Sequence, residues 1–168
     1  ILITGGMGFI GSSVVRLAIE LGHNVINVDS LTYAGYSKNV EKVANNPSYK
    51  FEEFDIRFSS GLNDIFTKHS PEGVIHLAAE THVDRSIDAP SEFIKTNVNG
   101  TFNMLEAMRS YWNAKSLRNR CRFVHVSTDE VYGSLSNDPK IKFLENTPYN
   151  PRSPYSASVS CRIVALVL

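Results

Sequence analysis

Ile1-Leu2-Ile3-Thr4-Gly5-Gly6-Met7-Gly8-Phe9-Ile10-Gly11 is the stretch whose reading decides the fold. An apolar run, Ile1 to Thr4, breaks at once into glycines at positions 5, 8 and 11. In a strand-to-helix turn the first such glycine permits the tight bend, the second lets a pyrophosphate approach the backbone, and the third lets helix and strand pack closely. From Phe9 the spacing of Ile10, Val14, Leu17, Ala18 and Leu21 predicts a helix with these residues on its apolar face, stopped by Gly22. Val25 to Val28 reads as a second strand closing on Asp29, 18 positions after Gly11. Two strands separated by one helix imply a right-handed parallel crossover.

A helix starting at Phe9 presents free amide groups to phosphate. Any tight strand-to-helix turn can use three glycines. Here the triple also opens an amphipathic helix and is followed by an acid at the end of the second strand, and that context points to dinucleotide binding. Asp29 is suited to accept hydrogen bonds from ribose hydroxyls, and its charge repels a 2′-phosphate, so NAD is favoured over NADP. The plain alternative for Asp29 is a turn residue.

Further along, Lys38 to Ala44 reads as a short helical run, Tyr49 to Phe54 as a third strand, and Leu62, Ile65 and Phe66 as a helix stopping near Ser70-Pro71. Val74 to Ala78 is a fourth strand. A long helix from Ser91 to about Trp112 places Phe93, Ile94, Val98, Phe102, Leu105 and Met108 on one face. Lys115 to Arg122 is a basic connector and Phe123 to Val126 a fifth strand. Ser134 to Pro154, with four prolines (Pro139, Pro148, Pro151, Pro154), is an irregular excursion, and Tyr155 to Leu168 a closing helix. Strands alternating with helices predict an α/β fold, a doubly wound parallel sheet in the order 3-2-1-4-5.

The 168 residues suffice for one domain, and residues 1–168 are expected to form it. Seventeen basic residues balance seventeen acidic ones, which gives no reason to expect nucleic acid or an anionic membrane as partner. No apolar run approaches the roughly 20 residues needed to cross a bilayer. Two cysteines, Cys121 and Cys161, without metal-ligand spacing suggest neither a disulfide framework nor a metal site, and a cytoplasmic setting is expected. His76 and His125 fall within strands and read as core residues; His23 and His69 read as surface residues at helix ends.

Ser127-Thr128-Asp129-Glu130-Val131-Tyr132-Gly133 follows the fifth strand. A buried strand that stops at a hydroxyl and then two carboxylates places acid and base groups where open α/β sheets bind ligands. The alternative is a solvated turn.

Taken together, Gly5 to Gly11, Asp29 with Leu31-Thr32-Tyr33-Ala34-Gly35, His76 to Ser86, Thr96-Asn97-Val98, Ser127 to Gly133 and Pro154-Tyr155-Ser156-Ala157-Ser158 resemble the extended short-chain dehydrogenase/reductases. Within them the chain is most similar to the dTDP-glucose 4,6-dehydratases; related sugar-nucleotide epimerases usually carry small hydroxyl residues in place of the two carboxylates. The resemblance implies an NAD-dependent conversion of a nucleotide sugar to its 4-keto-6-deoxy form. Tyr155 would take the C4 hydroxyl proton as hydride leaves C4, Glu130 the C5 proton, and Asp129 would protonate the departing C6 hydroxyl before hydride returns to C6. Thr128 would hydrogen-bond the C4 oxygen. Unequal environments can hold two adjacent carboxyl groups in different protonation states.

For the cofactor, the resemblance implies contacts from Gly5, Gly8, Phe9, Ile10, Gly11, Asp29, Leu31, Thr32, Tyr33, Asp55, Ile56, Leu77, Ala78, Ala79, Glu80, Asn97 and Tyr155. His82, Arg85 and Ser86 would lie near the sugar and its diphosphate, with His82 equally readable as a loop residue. A homodimer through the helices near 91–112 and 154–168 is a further implication.

One position breaks the pattern. The family motif Tyr-x-x-x-Lys has Val159 where the lysine belongs. That lysine ordinarily lowers the tyrosine pKa from about 10 and holds the nicotinamide ribose. After Ser158 the family pattern is lost, and the smaller substrate lobe is not expected within the chain. Three explanations follow: a fragment or interrupted chain, a truncated and altered gene product, or a noncatalytic NAD-binding relative. The retained carboxylate pair favours the first two, with impaired turnover. Other nucleotide-sugar dehydratases or an epimerase are the enzymatic alternatives, and a noncatalytic NAD-binding module is the alternative of another class.

Overall fold

The structure, a computed structural model, describes residues 1–115, 121–135 and 140–165. The middle of the basic connector, the part of the excursion that includes Pro139, and the last three residues of the closing helix lie outside the described residues. The chain divides into two compact units, residues 1–78 with 103–126, and residues 79–102 with 127–168.

The first unit holds five parallel strands, β1 (Leu2–Thr4), β2 (Val25–Asp29), β3 (Tyr49–Glu53), β4 (Gly73–His76) and β5 (Arg122–His125), in the order β3-β2-β1-β4-β5. Leu2 lies level with Ile26 on one side and Val74 on the other. Every residue of β1 and β2 is buried. That is the pattern of strands covered on both faces, where no polar alternation survives. One face packs Leu2, Ile26, Val28 and Val74 with Phe66, Met104, Met108 and Trp112. The other packs Ile3 and Val25 with Met7, Val15, Ala18, Val40 and Tyr49.

Helix α1 (Phe9–Glu20) buries Gly11, Ser12, Val15, Ala18 and Ile19. The apolar spacing misplaces this face: Ile10, Leu17 and Leu21 are 60%, 54% and 66% exposed. The cause is steric. A Cβ on Gly11 would stand 2.1 Å from the Gly5 carbonyl oxygen, so the helix meets the sheet through its smallest residue and the contact stripe continues through Val15, Ala18 and Ile19.

After β2 the chain runs through a 3₁₀ segment (Ser37–Val43) to β3, then α2 (Leu62–His69) and β4. β4 stops at His76, short of the expected Ala78: the Leu77 amide still reaches the Thr4 backbone carbonyl, at 3.2 Å, while the Ala78 amide turns to the Thr4 hydroxyl oxygen at 3.1 Å. His76 is a core residue, its Nδ1 2.7 Å from Thr4 Oγ1.

In the second unit come α3 (Val83–Asp88) and α4 (Pro90–Phe93), then a π-helical turn (Ile94–Gly100) leading into α5 (Thr101–Lys115), whose residues from Asn103 onward belong to the first unit. The expected long helix is therefore present as one continuous helical run that widens over Ile94–Gly100, and its apolar face differs in part. Phe93 and Met108 are buried as expected, but Ile94 is 47% and Phe102 57% exposed, and Asn97 is buried instead. The wider turn carries a polar residue inward, which apolar spacing cannot register. A 3₁₀ turn (Asp129–Tyr132) and α6 (Pro154–Ala165) complete the unit, with α6 packed on α3, α4 and the π turn.

His69 is more than a surface residue. Its Nε2 and the Lys68 Nζ each lie 2.6 Å from Glu52 Oε1, joining α2 to β3. Hydrogen bonds from Lys68, then from His69, hold the Glu52 carboxyl below the usual carboxylate range. A depressed carboxylate adds stability above its unfolded pKa of about 4.3 and loses it as pH falls through the lower folded value. Glu52→Gln is expected to cost at most about 1 kcal/mol at pH 7, and the gap from wild type should close in acid, as urea denaturation at a series of pH values would show.

Candidate functional site

In the first unit the glycine turn is assembled by long-range contacts. Gly5 has φ +72°, open to glycine at little cost, and a Cβ there would meet Ala78 N at 2.7 Å. Gly6, which the motif reading passed over, is equally constrained: a Cβ would lie 2.1 Å from Asn27 Oδ1. At Gly8 the only neighbour among the described residues within reach of a Cβ is the Gly5 carbonyl oxygen at 3.3 Å, so they leave the outer side of the turn open.

Phe9 is 89% and Ile10 60% exposed. Gly8 caps α1 without a side-chain bond, and no acidic residue stands in the first turn. An open backbone cradle at an uncapped helix N-terminus fits a diphosphate.

Asp29 is 9% exposed and organises the turn from below. Its Oδ2 accepts from Met7 N and its Oδ1 from Leu31 N, both at 2.9 Å. Leu31 takes φ +50°, an uncommon left-handed conformation for a leucine, and Leu31, Thr32 and Tyr33 are exposed. Gly5, Gly8, Gly11, Asp29, Leu31 and Ala78 are thus brought together within this unit.

Asp55 is paired with Arg57 at 2.6 Å. Desolvation works to raise its pKa, but the hydrogen bonds and charge of Arg57 outweigh it and the net direction is down. Ile56 is buried, and Asn103 Nδ2 donates to the Ile56 and Arg57 carbonyls at 3.0 Å.

In the second unit the Asp129–Tyr132 turn is separated from β5 by three residues in the sequence. Thr128 caps it, its Oγ1 accepting from Glu130 N at 3.3 Å, while Val131 is buried and anchors it. Asp129 and Glu130 are exposed. The turn is braced from behind: Tyr132 packs on Phe143 and Tyr149 at 5.2 and 5.4 Å between ring centroids, and Asn150 N donates to the Val131 carbonyl at 2.9 Å.

Tyr155 sits in the first turn of α6, half-buried, its ring edge-on to Phe93 at 6.4 Å. The motif around it explains why a helix begins there. Pro154 occupies the first helical position, and Ser153 and Ser156 bond reciprocally: Ser156 N donates to Ser153 Oγ at 3.0 Å and Ser153 N to Ser156 Oγ at 3.1 Å. Ser158 Oγ donates to the Tyr155 carbonyl at 2.7 Å. Val159, at the position of the expected lysine, is 2% exposed. Lys95 pairs with Glu92 at 2.8 Å.

Asn97 has no exposed surface. Its Oδ1 accepts from Glu80 N, and its Nδ2 donates to the Glu80 carbonyl and to Ser158 Oγ, all at 2.9 Å. Glu80, Asn97 and Tyr155 are joined through this network, with Ser158 as a member that the motif reading did not single out. Arg85 Nη1 lies 4.0 Å from Glu80 Oε2, with the Arg85 side chain 52% exposed. Ser86 is buried and its hydroxyl donates to the Val83 carbonyl; His82 precedes α3 as its N-cap. Among the described residues no group of three or more His, Cys, Asp or Glu could hold a metal ion, and no helix is long and apolar enough to cross a membrane.

Residues 2–162 match the family model described as GDP-mannose 4,6 dehydratase. A dTDP-glucose 4,6-dehydratase of Neisseria meningitidis is 52% identical over 161 residues, covering 94% of this chain and 45% of that protein. One from Escherichia coli is 50% identical over 168 residues, covering 94% and 46%. The chain therefore spans about half the length of the curated relatives it matches. Among solved structures, dTDP-glucose 4,6-dehydratase DesIV of Streptomyces venezuelae, crystallised with NAD, superposes with TM-score 0.85 at 39% identity over 98% of this chain and 49% of its own. The NAD complex of Thermus thermophilus UDP-glucose 4-epimerase also gives TM-score 0.85, at 32% identity over 99% and 49%.

Asn97→Ala removes three hydrogen bonds and strips partners from the part-buried Glu80 backbone and the buried Ser158 hydroxyl. A loss of about 2–3 kcal/mol is expected, measurable as a lower urea midpoint.

Proposed function

The chain belongs to the GDP-mannose 4,6 dehydratase family, and from that premise we propose that residues 1–168 are the NAD-binding domain of a dTDP-glucose 4,6-dehydratase. The observation that carries the proposal is the Thr128-Asp129-Glu130 triplet, two exposed carboxylates behind a hydroxyl cap at the end of β5, in a chain about half identical to such dehydratases. NAD would rest its diphosphate on Gly8 and the first amides of α1, with Asp29 offering its remaining lone pairs to the adenosine ribose and Asp55 and Ile56 lying toward adenine. The cofactor supplies the acceptor for hydride from C4 and the donor for its return to C6.

The chain's own residues would do the rest. Tyr155 accepts the C4 hydroxyl proton, Thr128 orients the C4 oxygen, Glu130 removes the C5 proton that a neighbouring ketone makes acidic, and Asp129 protonates the departing C6 hydroxyl. Arg85, half in solvent, suits the substrate diphosphate. Ser86, being buried, would serve by holding the α3 backbone. A cytoplasmic setting and a homodimer through the helices near 91–112 and 154–168 complete the proposal; exposed Ile94 and Phe102 support the second.

Val159 favours a second reading, a noncatalytic NAD-binding module, because no cation stands four residues after Tyr155 to lower its pKa. Titration calorimetry and product analysis in D₂O separate the readings. The 168-residue chain is expected to bind NAD, and Asp29→Ala to weaken that binding more than about tenfold. With dTDP-glucose, turnover is expected to be weak, with solvent deuterium at C5 of a 4-keto product and none formed by Glu130→Gln. A C4 epimer without deuterium would make the chain an epimerase. NAD binding with no product from wild type would favour the noncatalytic module, and no NAD binding would defeat both.

A further inference from the structure

The Met7 peptide groups are held from two sides. The Met7 N–H donates to Asp29, while the Met7 carbonyl accepts from Asn39 Nδ2 at 2.8 Å and from Tyr36 N at 3.0 Å. Asn39 belongs to the 3₁₀ segment, which Val40, 2% exposed, fixes in the core. The Asn39 carbonyl accepts in turn from Arg16 Nη1, and Arg16 Nη2 donates to Ser13 Oγ at 3.0 Å on α1. The contacts close a ring from the glycine turn through α1, Arg16 and Asn39 back to Met7.

A peptide unit is planar, so fixing the Met7 carbonyl also fixes the Gly8 N–H on the other side of the same bond. That N–H donates to the Gly5 carbonyl at 3.2 Å, and Gly8 is the cap from which α1 starts. Without Asn39 the carbonyl keeps only the Tyr36 bond, and the plane of the Met7–Gly8 peptide can rock. The amides that face a diphosphate are those that follow it.

We infer that Asn39, held by Arg16, is a positioning residue for the diphosphate-binding turn. The inference rests on the NAD-binding reading. Asn39 itself touches no phosphate; it sets the angle of the peptide that begins the cradle. A ligand bearing a diphosphate depends on that angle, whereas a ligand without phosphate does not.

Dissociation constants for ADP-ribose and for adenosine, measured on the 168-residue chain and its variants, test this. Asn39→Ala is expected to weaken ADP-ribose roughly three- to tenfold, the worth of one hydrogen bond, while adenosine stays within about twofold of wild type. Asn39→Asp preserves shape but sets a carboxylate against the Met7 carbonyl, and it should weaken ADP-ribose at least as much. Arg16→Ala should give a smaller loss of the same kind. Unchanged ADP-ribose binding in both Asn39 variants would overturn the inference. So would an equal loss for adenosine, since Asn39 would then be holding the unit together in general. Failure of wild type to bind ADP-ribose would instead bring down the NAD reading itself, and this inference with it.

Discussion

Much of the first unit depends on how closely the backbone of Gly11 approaches that of Gly5. The space for a Cβ on Gly11 is already filled by the Gly5 carbonyl oxygen, at 2.1 Å. That approach fixes which side of α1 faces the sheet, and so sends Val15, Ala18 and Ile19 into the core and leaves Phe9 and Ile10 in solvent. It also leaves the helix N-terminus uncapped. Asp29 can bond Met7 because the turn is this tight, and Gly35 must itself lack a side chain, since a Cβ there would stand 2.9 Å from Asp29 Oδ1.

The strands and the glycine turn were legible in the sequence because both are written locally, as apolar runs between breakers and as a fixed glycine spacing, and the strand order followed from the fold class that their alternation with helices implies. The faces of α1 and of the long helix were not. Apolar spacing weighs bulk, and at Gly11 and Ser12 the smallest residues take the buried side; at Asn97 a polar residue is buried because its amide finds three partners. Gly6, Thr4 and Asn39 went unread for a related reason. Their partners are Asn27, His76 and Met7, far off in the chain, and no local pattern announces such pairs. The candidate chemical residues were named from family resemblance, which gives identities without the supports that hold them.

Those supports are what the second unit adds. A hydroxyl cap, a buried valine and three aromatic rings fix a four-residue turn whose two carboxylates remain in solvent. Two serines and a proline decide where α6 begins, so Tyr155 takes its place by local chemistry. Val159 lies one turn further on, beyond this local start, where the family motif leads one to expect a lysine, and it takes no part in the cap.

Thr4 brings one more constraint. Its hydroxyl oxygen accepts from the Ala78 amide at 3.1 Å and shares the Leu77 amide, at 3.2 Å, with the Thr4 backbone carbonyl. The same oxygen lies 2.7 Å from His76 Nδ1, so one side chain of the central strand meets an imidazole of β4 and the amides that follow it. A single threonine hydroxyl thus works as a rivet between neighbouring strands: its loss would loosen the buried imidazole and the chain's exit from β4 together.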